Sequence, residues 1–280
     1  MKVVNQISEL RGEISRARQA GRSVGLVPTM GALHNGHLSL IEEAAHRNDF
    51  IVVSIFVNPT QFNDPSDLER YPRDLDADLQ ILGQQTADIV FAPDVKEMYP
   101  EKDKRNFDLS PLDKVMEGKF RPGHFKGVAQ IVTKLFDAVT PDRAYFGQKD
   151  FQQLAIIRKI AGQSEQEIEI IGCPIIREPD GLAMSSRNVL LTPDQRKAAP
   201  LIYQTLVEAK KRQSSYSPVE ITEWVTGTIN AHPLMQVEYF EIVDEQELMP
   251  VTEWGLHVNK VGCIAVHLGR VRLIDNVYFD

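Results

Sequence analysis

Leu26-Val27-Pro28-Thr29-Met30-Gly31-Ala32-Leu33-His34-Asn35-Gly36-His37-Leu38 runs from an apolar segment, through a turn carrying two glycines and two histidines, into a second patterned segment. Val24, Leu26 and Val27 predict a buried strand, and the spacing of Leu38, Leu40, Ile41, Ala44 and Ala45 predicts a helix. The turn therefore sits at the carboxyl end of a strand. In an open parallel sheet that edge binds ligands, and the helix that follows offers free N–H groups and a positive dipole end to an anion such as phosphate. Gly31 and Gly36 remove side chains where a backbone must approach a ligand, and His34 and His37 can donate hydrogen bonds to phosphate oxygens. A single turn histidine is usually solvated or satisfied locally. Two of the seven histidines, three apart about a glycine and directly after a strand, favour a site. A metal centre lacks support, because His-x-x-His is a poor helical ligand spacing and neither Cys173 nor Cys263 is near in sequence.

The same strand-turn-helix pattern recurs along the chain. Ile7, Leu10 and Ile14 predict a first helix ending near Gly21, and the apolar run 50–57 predicts a buried parallel strand. That run ends in Asn58-Pro59-Thr60-Gln61-Phe62, a second site-like turn on the same sheet edge. Leu75, Leu79 and Leu82 mark a helix, and residues 89–92 a strand closing at Pro93. Asp74, Asp76 and Asp78 have the composition of a magnesium site, but acids at a helix start more often favour the dipole and meet solvent, and that reading is preferred. Residues 94–126 lack clear periodicity. Within them, 118–127 reads as a mobile segment whose basic residues gate an anion, or equally as a basic surface loop. A helix over 128–138 and a short strand at 144–146 lead to a third strand-end turn, Gly147-Gln148-Lys149-Asp150-Phe151-Gln152-Gln153. Lys149 suits phosphate, Asp150 suits ribose hydroxyls and Gln153 lies one turn on; read alone, a salt-bridged helix start explains this piece as well. After a strand at 168–176, Met184-Ser185-Ser186-Arg187 offers hydroxyls and a cation to a phosphate chain, although Ser-Ser-Arg by itself is more often an N-cap region. Beyond Thr192 the alternation gives way to two helices and antiparallel strands at 236–243, 261–268 and 271–274. The expected fold is α/β: a Rossmann-like, doubly wound parallel sheet over residues 1–175, with a smaller α+β domain over 176–280.

The chain has 280 residues, ample for one large or two modest cores, and a formal net charge of −8, which disfavours a broad nucleic-acid-binding face. It has neither an apolar run of membrane-spanning length nor a secretory pattern at the N-terminus, so a cytoplasmic protein with no membrane partner is expected. Cys173 and Cys263 sit in apolar settings and read as buried thiols.

Four pieces, Pro28 to His37, Asn58 to Phe62, Gly147 to Gln153 and Met184 to Arg187, closely resemble the pantoate–β-alanine ligase family, the pantothenate synthetases, in order and over essentially the whole chain. His34-Asn35-Gly36-His37 resembles the signature of the HIGH-motif nucleotidylyltransferase superfamily and of class I aminoacyl-tRNA synthetases. Met-Ser-Ser-Arg is similar to their mobile Lys-Met-Ser-Lys-Ser loop. The resemblance implies an AMP-forming acid–amino-acid ligase with the substrates ATP, pantoate and β-alanine. Pantoate attacks the α-phosphate to give pantoyl adenylate and pyrophosphate, and β-alanine then displaces AMP. Such chemistry needs no protein nucleophile, only positioning and charge stabilisation.

By the same resemblance, Met30, Gly31, Ala32, Leu33, His34, Asn35, Gly36 and His37 line the ATP site, and His34 and His37 stabilise the transition state, His37 as the proton donor. Lys149 holds phosphate oxygens, Asp150 and the Gly147 backbone hold the ribose with Gln148 in the same ATP-binding turn, and Ile176, where the family often has Val, meets adenine through its backbone. Met184, Ser185, Ser186 and Arg187 close on the triphosphate, and Gln61 and Gln153 hold pantoate. Magnesium is implied as the ATP counter-ion with no protein ligand assigned, and a homodimer is implied. A nucleotidylyltransferase making a stable nucleotide product, and a nucleotide-sensing module without turnover, stand as rival readings.

Overall fold

Alternate residues along the buried strands point to opposite sides of a six-stranded parallel sheet in the order β1-β4-β3-β2-β5-β6. The computed structural model describes residues 1–255 and 259–279. The strands of this sheet are β1 (Lys2–Val4), β2 (Val24–Thr29), β3 (Phe50–Ile55), β4 (Ile89–Phe91), β5 (Arg143–Gly147) and β6 (Glu169–Cys173). The helices between them are α1 (Ile7–Gln19), α2 (Asn35–Arg47), α3 (Pro65–Arg70), α4 (Leu75–Leu82), α5 (Val95–Met98), α6 (Met116–Phe120), α7 (His124–Val139) and α8 (Phe151–Gly162). Leu26 and Val52 pack with α1, α7 and α8 on one face, while Val27, Ile51 and Val53 pack with Leu40, Ile41 and Ala44 of α2 on the other. The near-continuous apolar runs of β2 and β3 follow from this two-sided burial.

The remaining helices are α9 (Pro193–Ala198), α10 (Leu201–Arg212) and α11 (Pro218–Asn230), and the last strands β7 (Met235–Asp244), β8 (Lys260–Leu268) and β9 (Val271–Phe279) form an antiparallel sheet in that order. Its central strand is buried on both faces. Ile264, Val266 and Leu268 pack with Ile202, Leu206, Ile221 and Val225 of α10 and α11, whereas Val261, Cys263 and Ala265 join the core beside α7 and α8. Both cysteines are buried free thiols, as expected. Among the described residues, no helix is long and apolar enough to cross a membrane.

Three local expectations are corrected. Residues 118–127 are not a loop throughout: they contain the end of α6 and the start of α7, which begins at His124 rather than at 128, after Gly123 in a left-handed conformation with φ 84°. His124 and Gly127 are buried. Asp78 does not meet solvent. It is 3% exposed, and its carboxylate accepts the amides of Ala32 at 3.0 Å and Leu33 at 2.7 Å. Finally, the short start of the chain adds β1 as an edge strand beside β4, and β9 runs to Phe279 rather than stopping at 274.

Candidate active site

Strand order reverses between β2, which continues to β3 on one side, and β5 on the other, so a crevice opens at their carboxyl ends. The three strand-end turns meet there. The cleft is lined by Met30, His34, Gly36 and His37 after β2, Asn58 and Gln61 after β3, and Gly147, Lys149, Asp150 and Gln153 after β5. Ile176, Met184, Ser185, Ser186 and Arg187 complete the wall. With its open mouth and the solvent space there included, the cleft encloses about 1190 Å³. Gly31, Ala32, Leu33, Asn35 and Gln148 do not line it. Gly31 makes the bend at φ 78°, the next two amides are bound by Asp78, and the Gln148 carbonyl accepts from Asn276 Nδ2 at 2.9 Å.

His34 and His37 cap α2 reciprocally. The His34 ring Nδ1 accepts the Gly36 amide at 3.1 Å, and the His37 Nδ1 accepts the His34 amide at 3.3 Å. A backbone N–H can only donate, so both Nδ1 atoms carry lone pairs. Burial, followed by the charge of Lys149, lowers the pKa of His34 to about 4. Burial, then His34 and Lys149, holds His37 well below its ordinary value. Two neutral rings with Nδ1 lone pairs each place their proton on Nε2, leaving two N–H donors not used in capping the helix. The ring centroids are 4.1 Å apart.

Lys149 donates to the Met184 carbonyl at 3.3 Å, tying the turn after β5 to the Met-Ser-Ser-Arg segment, while its Nζ lies 4.0 Å from Asp150. The Asp150 carboxylate, at the N-cap position of α8, caps no helix amide and is half exposed. Ser185 does cap the short 3-10 turn that follows it. Arg187 pairs with Asp67 at 3.0 Å, and its guanidinium lies 5.6 Å from the Tyr71 ring centroid. The Tyr71 hydroxyl is 3.2 Å from Ser186 Oγ. A hairpin bridge from Arg177 to Ala183 and the two-pronged Arg177–Asp275 ion pair, at 2.6 and 2.8 Å, anchor this segment to the small sheet.

Gln61 is oriented by a neighbour that sequence reading leaves without a role. Asn58, 1% exposed, donates from Nδ2 to Gln61 Oε1 at 3.1 Å and to the Gly127 carbonyl at 3.0 Å, and its own carbonyl accepts from Tyr99 at 2.8 Å. Sequence reading also misses Tyr71, Asp67 and the apolar floor that Val128, Ile131, Val132 and Leu135 of α7 supply. The Asn-Pro-Thr-Gln turn itself is the available signal for Asn58. The others carry none. No group of three or more His, Cys, Asp or Glu side chains suited to a metal ion occurs among the described residues.

His124 is neutral for the same reason as His34: burial first, then Arg121, brings its pKa down to about 4. An unfolded histidine titrates near 6.5, so between that value and 4 the unfolded chain binds more protons than the folded one, and stability falls as pH falls. The urea midpoint is expected to drop between pH 6.5 and 5, above the main carboxylate range. A flat midpoint over that window would contradict the neutral assignment of these rings.

The Pantoate-beta-alanine ligase family model matches residues 2–278. The chain is 54% identical to the pantothenate synthetase of Bacteroides thetaiotaomicron, over 100% of this chain and 99% of the relative. It is 51% identical to that of Porphyromonas gingivalis, over 100% of both. Among solved structures, the Thermus thermophilus pantothenate synthetase superposes with a TM-score of 0.91 at 42% identity, covering 99% of each chain. The Francisella tularensis pantoate-beta-alanine ligase, complexed with beta-gamma ATP and beta-alanine, gives 0.81 at 36% identity, covering 99% of this chain and 97% of that one. Sequence and fold agree over full length: the chain belongs to the pantoate–β-alanine ligase family, whose reaction is an ATP-dependent condensation.

Proposed function

We propose that the chain condenses pantoate with β-alanine through pantoyl adenylate, at the crevice between β2 and β5. The observation that carries this reading is the convergence of the His34 and His37 rings, Lys149 and Gln61 on one cleft. A pantoate carboxylate oxygen attacks the α-phosphorus in line, the bond to the β,γ-unit breaks and pyrophosphate leaves. Charge builds on the phosphate oxygens, where the two Nε2–H groups and the Lys149 ammonium are placed to receive it, and an anion there draws protons toward the rings, consistent with His37 as the donor. The amine of β-alanine then attacks the acyl carbon, the acyl–O bond to AMP breaks and the ammonium proton is released.

Ile176 offers an adenine edge its N–H, since its carbonyl accepts from the Met184 amide at 3.0 Å. Gly147 and Asp150 hold the ribose, and Ser185, Ser186 and Arg187 close on the triphosphate, Arg187 exchanging Asp67 for phosphate. Magnesium belongs to the substrate as the counter-ion of ATP, in keeping with a cleft that gathers cations and neutral donors. Division of labour near residue 175, a cytoplasmic location and a homodimer are part of the same proposal.

Gln61 and Gln153 hold pantoate with neutral amides, which bind hydroxyl and carboxylate oxygens without the tight ion pair that would blunt the attacking carboxylate. Gln61→Ala is expected to raise the pantoate KM roughly 10-fold or more and to leave the ATP KM within about threefold. Equal weakening of both substrates would remove Gln61 from this role. Incubation with ATP, Mg²⁺, pantoate and β-alanine tests the proposal as a whole, with AMP, pyrophosphate and an amide product expected. ADP as product refutes it. Pyrophosphate without AMP on adding the amine would indicate a stable nucleotide product instead.

A further inference from the structure

The last strand of the small sheet reaches into the turn that carries Lys149. Asn276, on β9, is 4% exposed, and its Nδ2 donates to the Gln148 carbonyl at 2.9 Å and to the Lys149 carbonyl at 3.1 Å. A side-chain amide nitrogen carries two hydrogens, one for each of these acceptors. The two carbonyls belong to the peptide groups on either side of the Lys149 Cα. Because a peptide group is planar, the two backbone dihedrals of a residue are the rotations of the planes that flank it. Holding both planes therefore fixes the Lys149 backbone, and with it the direction in which the Cα–Cβ bond leaves the chain.

The turn has little else to hold it at this point. The plane after Lys149 is also tied by the Asp150 amide, which donates to the Gly147 carbonyl at 3.3 Å, whereas the plane before it has Asn276 as its partner. Helix α8 lies beyond both carbonyls, since the Leu154 amide bonds to the carbonyl of Asp150 at 2.9 Å. A neutral amide supplies the missing donors without placing a second cation beside the Lys149 ammonium.

Asn276 is itself anchored. Its backbone amide donates to Asp275 Oδ1 at 2.8 Å, and the buried Asp275 carboxylate holds Arg177. Arg177 also donates to the Gly181 carbonyl at 3.1 Å, and its guanidinium lies 3.5 Å from the ring centroid of Tyr203 on α10. Two successive residues of β9 thus hold two pieces of the cleft wall: Asp275 the hairpin between Ile176 and Met184, and Asn276 the turn of Lys149. The contact from Lys149 Nζ to the Met184 carbonyl closes the circuit.

We propose that Asn276 is a positioning residue for Lys149: it sets the backbone from which the ammonium reaches the phosphate oxygens, and it acts on the reaction through that lysine. This rests on the ligase reading and deepens it, giving the small domain a part in chemistry carried by a turn of the large one.

The test is pantoate-dependent exchange of pyrophosphate into ATP, read as kcat and KM for Asn276→Ala in the otherwise unaltered protein and in a Lys149→Ala background. In the first, the exchange kcat is expected to fall about 10-fold or more, with the pantoate KM within about threefold of its original value. In the second, the same change should cost about threefold or less, because the group that Asn276 aims is gone. Asn276→Asp keeps the shape but offers oxygens where the two carbonyls need donors, and it should restore none of the lost rate. Equal losses in the two backgrounds, as a residue that merely supports the fold would give, overturn the proposal. So does an unchanged rate in Asn276→Ala, a fully active Asn276→Asp, or a principal defect in pantoate KM. Absence of exchange in the unaltered protein refutes the ligase reading, and the positioning role with it; exchange in the unaltered protein with equal losses refutes the positioning role alone.

Discussion

His37→Ala is expected to lower the rate of pantoate-dependent pyrophosphate exchange by roughly 10²- to 10³-fold, with a smaller change in ATP KM. The position of one proton decides this. The His37 Nδ1 is spent on the His34 amide, so the ring can meet a phosphate only through Nε2–H. A donor aimed at charge that develops in the transition state contributes mainly to kcat, whereas one that only holds the ground-state triphosphate would show in KM. Loss of the cap contact costs about 1 kcal/mol of helix start, which a folded domain of this size tolerates. Single-turnover exchange on the folded variant is the measurement, and an unchanged rate would remove His37 from the reaction.

The second large effect falls on a residue with no side chain. Gly127 lies within α7, where alanine ordinarily stabilises a helix by about 0.5–1 kcal/mol. Here an alanine Cβ would stand 2.4 Å from the Thr60 carbonyl oxygen and 2.6 Å from the Gln61 nitrogen. These are backbone atoms, which cannot rotate aside. Gly127→Ala is therefore expected to cost about 1–3 kcal/mol in chemical denaturation and to raise the pantoate KM, because the turn that carries Gln61 must move. Gly162, at the end of α8, would place an added Cβ with nothing within 4 Å of it; the same change there serves as the control and should be neutral or slightly stabilising. A stabilised Gly127→Ala would show that the close approach of α7 to this turn is absent in solution.

The first of these effects can be anticipated from sequence and the second cannot. The turn after β2 is legible because its information is local: an apolar run, two glycines, two histidines at helix-start spacing, and a second patterned run. The turns after β3 and β5 are legible by polar side chains set directly after an apolar run, and the parallel order then requires all three to share an edge. Asp78 escapes such reading because alternating acids at a helix start look alike until the fold brings the Ala32 and Leu33 amides to one of them. Segment 118–127 escapes it because glycine, proline and basic residues have loop composition, whereas Gly123 makes a left-handed helix start and His124 finds its partners 63 residues away at Gln61 and next door at Arg121. Polar burial is decided by tertiary partners, and no window of sequence contains them.

The reciprocal cap of α2 has a consequence for anyone redesigning this protein. Thermostabilisation routinely rewrites helix starts toward a serine or threonine followed three residues later by glutamate, the pairing that satisfies the orphan amides best. At this helix those two positions are His34 and His37, and the rings that satisfy the amides are the rings whose Nε2 protons would serve the phosphates in the proposed reaction. Folding strength and turnover are thus written in the same two letters, and selection for either one alone would erase the other.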